Sequence, residues 1–203
     1  MHPNVDTQQR ILDSAKALIY SRSYADVGVA DICEHAGVKK GSFYHFFPSK
    51  RDLTLAVLEK SYIEIKDHLL TQAFATDIPP IARLIRFGKL SYEFQRQMFS
   101  DTGHVIGCLF GNLASEMATQ DESIRVKVVQ IFSNLQGGLR LVLREAIAAG
   151  EVKDIDVGAT AQAMLAYFEG VMLLAKSKND VEILRQLLPA MAQIRIGRRE
   201  ESA

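Results

Sequence analysis

The sequence predicts an all-α protein of nine helices in two domains, and three observations support this prediction. Apolar residues recur at helical spacing along most of the chain, and no run alternates in the way a strand does. Proline and glycine residues fall between the periodic segments, where helices are expected to stop. The length of 203 residues suits one large domain or two modest ones.

The N-terminal part of the chain predicts four helices. Periodicity indicates a helix over 7–21, two short helices over 29–35 and 39–47, and a long helix that runs from Ser49 to about residue 74. Pro48 ends the third helix, because proline cannot continue one. Ser49 followed by Asp52 is the pattern of an N-cap with an acidic residue in the capping-box position.

Five more helices are predicted after the break at Asp77-Ile78-Pro79-Pro80. They run from 81 to about 98, over 108–117 and 121–149, and over the last two segments, 156–177 and 180–196. Gly150 ends the longest of them. We expect an N-terminal domain over 1–52 and a C-terminal domain over 53–203.

Composition excludes several classes of protein. Lys+Arg 24 balance Asp+Glu 24, so any case for DNA binding must depend on local charge. The two cysteines are far apart and the five histidines lack metal-ligand spacing, so we expect no disulfide framework, metal or cofactor. The polar first ten residues and the lack of an apolar run of about 18–20 residues predict a soluble, cytoplasmic protein. The most apolar stretch, 164–175, is interrupted by Glu169.

The two short helices form a candidate helix-turn-helix. Gly37 lies in their three-residue connection, where it can adopt a left-handed conformation without steric cost. At about 100° per residue, one side of the second helix carries three phenylalanines and the other carries groups suited to a DNA groove. The inner side holds Phe43, Phe46 and Phe47, and the outer side Gly41, Tyr44, His45 and, at its margin, Lys40.

Local charge supports a DNA-binding role for this hairpin. Lys39, Lys40, Lys50 and Arg51 lie within residues 36–51, a window that contains no acidic residue. A solvated charged face is the alternative interpretation. Two observations argue against this alternative. The second helix carries three phenylalanines, and both helices are too short to be stable outside a packed three-helix unit.

Residues 32–50, ICEHAGVKKGSFYHFFPSK, resemble the signature of the tetracycline-repressor (TetR) family of transcription regulators. The resemblance implies a nine-helix, two-domain fold with a three-helix DNA-binding domain first. It also implies that Lys50 binds a DNA phosphate. Gly28 departs from the Ser or Thr that usually caps the second helix, and Cys33 replaces a usual alanine. The predicted DNA-binding residues are Lys39, Lys40, Gly41, Ser42, Tyr44, His45 and Lys50.

The same resemblance implies an effector site in the C-terminal helices and a homodimer formed through the last two of them. Both helices have broad apolar faces that pairing across a two-fold axis would bury. The alternative is that these faces cover the chain's own core. The faces consist of Val157, Ala161, Met164, Leu165, Phe168, Val171, Met172 and Ala175 in one helix, and Leu184, Leu187, Leu188, Met191 and Ile194 in the other.

A second informative segment, GCLFGNLA at 107–114, is similar to one in a family subgroup that responds to electrophiles, oxidants or small unsaturated carbonyl compounds. A thiol near a helix N-terminus has a lowered pKa, so Cys108 could be modified. An inert packed cysteine is the alternative. Polar residues of this domain could contact an anionic effector. The candidate effector or sensor residues are Cys108, His104, Arg86, Tyr92, Gln136, Arg140 and Phe168.

These observations predict a ligand-responsive transcriptional repressor, not an enzyme. It would bind a double-stranded operator as a homodimer and release it when a small molecule binds, or when Cys108 is modified. One alternative is a helical enzyme with a reactive cysteine, because His104 and Cys108 are four residues apart. Another is a ligand-binding protein without DNA binding, against which the basic face of the hairpin argues.

Overall fold

The computed structural model describes the backbone of residues 3–198 and the side chains of residues 6–198. Nine helical segments are present in this part of the chain, where strand pairing is limited to one antiparallel bridge between Ile155 and Gly197. The all-α, nine-helix prediction is confirmed. The helices are α1 (Pro3–Ser21), α2 (Val29–Ala36), α3 (Lys40–Phe46), α4 (from Lys50–Ile65), α5 (Pro80–Thr102), α6 (Leu109–Met117), α7 (Glu122–Ala148), α8 (Val157–Lys178) and α9 (from Glu182–Leu187).

Two helices change type before they end, which the apolar periodicity did not indicate. α4 continues through a π-helical turn, Lys66–Leu70, to a last α-helical turn, Thr71–Ala73. α9 tightens into a 3₁₀ segment, Leu188–Gln193, which has Pro189 near its start. Proline lacks the backbone N–H that would continue the α-helical ladder.

Contacts divide the chain into two compact units. One contains the residues up to Ile63 together with Leu109–Val129, and the other contains Glu64–Cys108 together with the residues from Gln130 onward. α6 and the start of α7 therefore belong to the same unit as α1 to α3 and most of α4. The functional boundary after residue 52 stays a prediction.

The first unit is built around apolar residues of α1 to α4. Phe43 is fully buried and Phe47 nearly so, as predicted for the inner side of α3. Phe46 is only half-buried, with its ring 4.8 Å from that of His45, so the prediction of three inward-facing phenylalanines is wrong for this one. At about 100° per residue, Phe46 lies at the edge of the face that Phe43 buries, and its ring packs beside His45 instead.

The second unit contains two hydrophobic clusters, to both of which α8 contributes. Ala161, Met164 and Leu165 lie in one cluster with residues of α5 and α7, and Val171 and Met172 lie in the other with residues of α9. The apolar faces predicted for dimerisation are thus largely occupied by the chain's own core. α8 leaves a different apolar surface exposed, formed by Leu173 and Leu174.

By length and composition alone, α8 is long and apolar enough to cross a membrane, which the sequence analysis did not expect. The core helix of a soluble protein passes the same test. Seven residues of α8, from Thr160 to Ala175, are buried in the second unit. Packing against neighbouring helices therefore accounts for much of its apolar character.

Candidate DNA interface and effector site

The helix-turn-helix turn has the geometry that its glycine predicts. Gly37 caps α2 with φ 63° and ψ 40°, and its N–H donates to the Glu34 carbonyl at 3.0 Å. Arg10 of α1 donates to the carbonyls of Ala36 and Gly37. A guanidinium thus binds the open C-terminal carbonyls of α2, which stabilises the angle between the two hairpin helices.

The outer face of α3 is open to solvent. Lys39, Lys40, Gly41 and His45 are exposed, Tyr44 is 56% exposed, and Ser42 is half-buried. A Cβ added at Gly41 would have no heavy atom within 4 Å. This face therefore presents ammonium, hydroxyl and imidazole groups around a point where the helix backbone can approach another molecule closely.

The N-terminus of α4 is capped as predicted. The Asp52 N–H donates to the Ser49 hydroxyl at 3.1 Å, and this hydroxyl donates to the Asp52 carboxylate at 2.6 Å. At α2, the Gly28 N–H donates to the Asp31 carboxylate at 2.7 Å. Gly28 has no side chain to return the bond, so α2 lacks the side-chain N-cap bond that a Ser or Thr would supply.

Lys50 is half-buried, and its ammonium contacts Tyr24. It donates to the Tyr24 carbonyl and lies 3.8 Å from the centroid of the Tyr24 ring. Burial lowers the pKa of Lys50, although the neighbouring carboxylates of Glu116, Asp26 and Asp31 act in the opposite direction. Lys50 therefore connects the start of α4 to the loop between α1 and α2, in addition to its predicted role at a phosphate.

Cys108, in the second unit, directly precedes α6 and is half-buried. Its thiol forms a hydrogen bond with the carboxylate of Glu169, a residue of α8. Burial raises the pKa of Glu169 to about 6, and the bond from Cys108 acts against that increase. Oxygen Oε1 of Glu169 is buried without a hydrogen-bond partner.

Two polar residues on one face of α5 are also buried, and one of them binds the backbone next to Cys108. Gln95 and Ser91 are each 3% exposed and lie one helical turn apart. Gln95 donates through Nε2 to the carbonyl of Gly107 at 3.0 Å, next to Cys108, while its Oε1 has no partner. The Ser91 hydroxyl is also unpartnered. Buried polar groups are rarely left without partners, so each of these atoms is a candidate contact for a ligand or a water molecule.

Three of the predicted effector residues lie around one hydrophobic cluster. Tyr92, Cys108 and Phe168 pack against the cluster that contains Val171 and Leu188. The Tyr92 hydroxyl donates to Glu182 at 2.8 Å, and this bond is the main reason that the pKa of Tyr92 is raised.

The other four predicted effector residues are exposed or half-buried polar residues with surroundings of their own. His104 is exposed in the loop before Cys108, so the two do not share a helix. Arg86 binds both carboxylate oxygens of Asp77, at 2.8 and 2.9 Å, and the carbonyls of Ala73 and Ala75. Gln136 and Arg140 are half-buried on α7, where Arg140 donates to the carbonyl of Ser133 at 3.5 Å.

Sequence reasoning missed Glu169, Gln95 and Ser91 as candidate site residues. Glu169 is the one charged residue in the apolar run 157–175, and this isolation was the available signal. Gln95 and Ser91 share a helix face with Leu84 and Gly88, which are both buried. Polar residues in phase with a core face could therefore have been recognised from the sequence.

Comparisons with known proteins agree with this geometry. The family described as "Bacterial regulatory proteins, tetR family" matches residues 11–57, and the family described as "Tetracyclin repressor-like, C-terminal domain" matches residues 81–191. The transcriptional regulator AcuR of Cereibacter sphaeroides is 35% identical over 170 residues, which cover 83% of this chain and 75% of AcuR.

Two further relatives extend over nearly the whole chain. The HTH-type transcriptional repressor NemR of Escherichia coli (strain K12) is 25% identical over 198 residues, 95% of this chain and 96% of NemR. The crystal structure of the regulatory protein TetR from Rhodobacter sphaeroides superposes with a TM-score of 0.81 at 31% identity, covering 91% of this chain and 96% of that one. The chain belongs to the TetR family of bacterial regulatory proteins, and it is a ligand-responsive transcriptional regulator that binds DNA.

Proposed function

We propose that this regulator is a cytoplasmic repressor that binds a pseudo-palindromic operator as a homodimer and releases it in response to a small molecule. The exposed outer face of α3 carries the proposal. Lys39, Lys40, Tyr44 and His45 stand free of the core on a short helix whose opposite side is anchored by Phe43. Such a helix can enter a major groove, with lysines at phosphates and Tyr44 and His45 at base edges.

Exposed leucines support the dimer. Leu173 and Leu174 of α8 are 64% and 50% exposed, and Leu187 of α9 is 37% exposed. The Tyr167 hydroxyl donates to the Leu187 carbonyl at 2.9 Å, which brings Leu187 to the face of α8 that carries Leu174 two turns further on. We call these three residues the leucine patch. A second copy of the chain would remove the patch from water.

The effector site in this proposal lies at Cys108, with Tyr92 and Phe168 beside it. Either a reversible ligand there or covalent modification of the Cys108 thiol favours a state that has lost affinity for the operator. The expected anionic effector is not supported, because Arg86 is paired with Asp77, and Arg83 with Glu145. A ligand that moves operator occupancy from about 99% to about 1% must prefer the released state by about 5.5 kcal/mol.

α4 is the proposed connection between effector and operator. This helix begins at Lys50, beside the DNA-binding helices, and continues without a break in the chain into the unit that holds Cys108. A change in its tilt would alter the separation of the two α3 helices of a dimer. The operator accepts only a separation of about one helical turn, roughly 34–36 Å.

We also propose that the chain is not an enzyme. The partner of the Cys108 thiol is Glu169, while His104 is exposed, so the Cys–His nucleophile that the sequence left open has no support. A ligand-binding protein without DNA binding is opposed by the open polar face of α3.

Fluorescence anisotropy with duplexes from the region upstream of the gene tests the repressor proposal. We expect salt-dependent binding of a dimer to a site with two-fold symmetry. Tyr44→Ala and His45→Ala should change the preference among operator variants, while the exposed Arg96→Ala control should not. Binding that discriminates no upstream site from random DNA would contradict the proposal.

A further inference from the structure

The most informative feature outside the DNA-binding face is the pair formed by Cys108 and Glu169. The thiol is hydrogen-bonded to a carboxylate whose other oxygen is buried and unpartnered. Gln95 is only 3% exposed. Its Nε2 donates to the carbonyl of Gly107, next to Cys108, and its Oε1 has no hydrogen-bond partner. A buried acceptor without a donor is unfavourable, so these two atoms are the best candidates in this region for contacts with a bound molecule.

We propose that Glu169 is the proton acceptor for the Cys108 thiol, and that the site prefers small uncharged electrophiles to electrophiles that carry a carboxylate. The proposal rests on the proposed function, in which modification of Cys108 releases the operator. It adds the residue that activates the thiol and the charge class of the molecule that reacts.

The chemistry is balanced without an oxidant or a further reactant. The thiol proton moves from Sγ to the Glu169 carboxylate, which leaves the thiolate as nucleophile. With an α,β-unsaturated carbonyl compound, a sulfur lone pair forms the bond to the β-carbon, and the π-electron pair moves to the carbonyl oxygen. Glu169 then returns the proton to the α-carbon of the resulting enolate. The product is a thioether, and Glu169 is restored as a carboxylate.

Charge selection follows from the surroundings of Glu169. Burial and the Cys108 bond set its pKa, with no cation contributing among the residues that the structure describes. Tyr92 of α5 and Glu182 of α9 are hydrogen-bonded to each other, and the two nearby cations act on that pair: Arg185 is ion-paired with Glu182, and Arg96 also lowers its pKa. A carboxylate-bearing ligand would bring a second negative charge beside Glu169, on whose pKa no cation of the described residues acts. An uncharged carbonyl compound avoids this repulsion.

Alkylation rates test the proposal directly. Iodoacetamide and iodoacetate react with thiols at the same carbon and with the same leaving group, but only iodoacetate is charged. The chain has two cysteines, so a Cys33→Ser parent leaves Cys108 as its single thiol, and intact-protein mass spectrometry reports its modification. For each thiol we compare the rate with iodoacetamide to the rate with iodoacetate. We expect this ratio to be at least about tenfold higher for the parent than for glutathione. We expect Glu169→Gln to slow the iodoacetamide reaction at pH 7 by about tenfold or more.

The pH profile separates proton transfer from a merely structural role. In the parent the rate should rise through pH about 6, as Glu169 becomes a carboxylate that can accept the thiol proton, whereas this rise should be absent in Glu169→Gln. Glu169→Asp keeps a carboxylate and should restore part of the rate. The exposed Glu93→Gln control should behave as the parent. Circular dichroism verifies that each variant is folded.

Two outcomes distinguish this proposal from the function on which it rests. If Glu169→Gln keeps the parent's rate, pH profile and preference for iodoacetamide, Glu169 is not the proton acceptor. If the alkylated parent nevertheless releases DNA, the proposed function remains intact. If the alkylated parent instead keeps its operator affinity, the proposed function fails, whatever the role of Glu169.

Discussion

Glu116 of α6 binds the backbone of Tyr24, 92 positions earlier in the chain. Its Oε2 accepts from the Tyr24 N–H and its Oε1 from the Ala25 N–H, both at 2.8 Å. The loop between α1 and α2 is therefore held by a helix that begins directly after Cys108. Because Lys50 donates to the carbonyl of the same Tyr24, this loop connects α6 with the start of α4.

Glu116→Ala should lower both stability and DNA affinity. The variant leaves two backbone N–H groups of the loop without their charged acceptor, and hydrogen bonds to charged groups contribute about 1.5–3 kcal/mol each. The Ala25 N–H is exposed and can bind water instead, so we expect the free energy of unfolding, measured in urea, to fall by about 2 kcal/mol, less than the sum of the two bonds, and operator affinity to fall about tenfold. Glu122→Gln, which removes an exposed ion pair with Arg125, is the control and should change neither by a comparable amount.

Lys50→Ala should weaken binding to every DNA sequence about equally and reduce the salt-dependence slope by about one. The variant also loses the contact with Tyr24, so we expect a modest loss of thermal stability as well. Anisotropy titrations over a range of salt concentrations measure the slope. Lys66→Ala, at an exposed lysine later in α4, should leave the slope unchanged. An unaltered slope in Lys50→Ala would mean that this ammonium stays with Tyr24 in the DNA complex.

Gly41→Ala should change stability and DNA binding in opposite directions. Alanine favours a helix over glycine by about 0.5–1 kcal/mol, and the new methyl group meets no atom of the protein. On the DNA side, it occupies the space of close approach, so operator affinity should fall. Gly137→Ala in α7 is a matched control, since its Cβ also meets nothing. The Gly137→Ala variant should raise the Tm without loss of operator affinity. Equal DNA binding by the two variants would refute the orientation proposed for α3.

Leu173→Glu should dissociate the dimer. It places a charge at the most exposed residue of the leucine patch, and burying an unpaired carboxylate against a second copy is strongly unfavourable. Sedimentation velocity should then give the mass of a single chain at micromolar concentration, with DNA binding weakened because only one half-site is held. Leu141→Glu, at a leucine of α7 that is 57% exposed, is the comparison and should remain dimeric.

Glu169 should make the protein less stable as the pH rises from about 4.5 to above 6. The pKa of a glutamate is 4.5 in the unfolded chain and about 6 here, so the folded state holds its proton more tightly. The resulting stabilisation is complete below pH 4.5 and is lost as the pH passes 6; it corresponds to about 2 kcal/mol. In urea unfolding at fixed protein concentration, Glu169→Gln should lack this decrease. A parent with the same pH dependence as the variant would contradict the burial of this carboxyl.

The helix-turn-helix could be predicted from the sequence because its determinants are local. Gly37 supplies the left-handed cap, Ser49 and Asp52 cap α4, and the spacing of Phe43 and Phe47 sets the buried side of α3. Each of these depends on residues within a few positions of one another. The nine helices and the family followed from the same kind of local pattern.

Only the tertiary structure decided which residues share a site. The sequence placed His104 beside Cys108 by spacing, but the segment between them is a loop, and the thiol faces Glu169, 61 positions later. Arg86 had the chemistry for an anionic effector, yet Asp77 and two carbonyls already bind it. The apolar pattern of α8 is equally compatible with burial in the chain's own core and with burial against a partner helix. Periodicity specifies that a face is buried, whereas packing between distant segments determines what it is buried against.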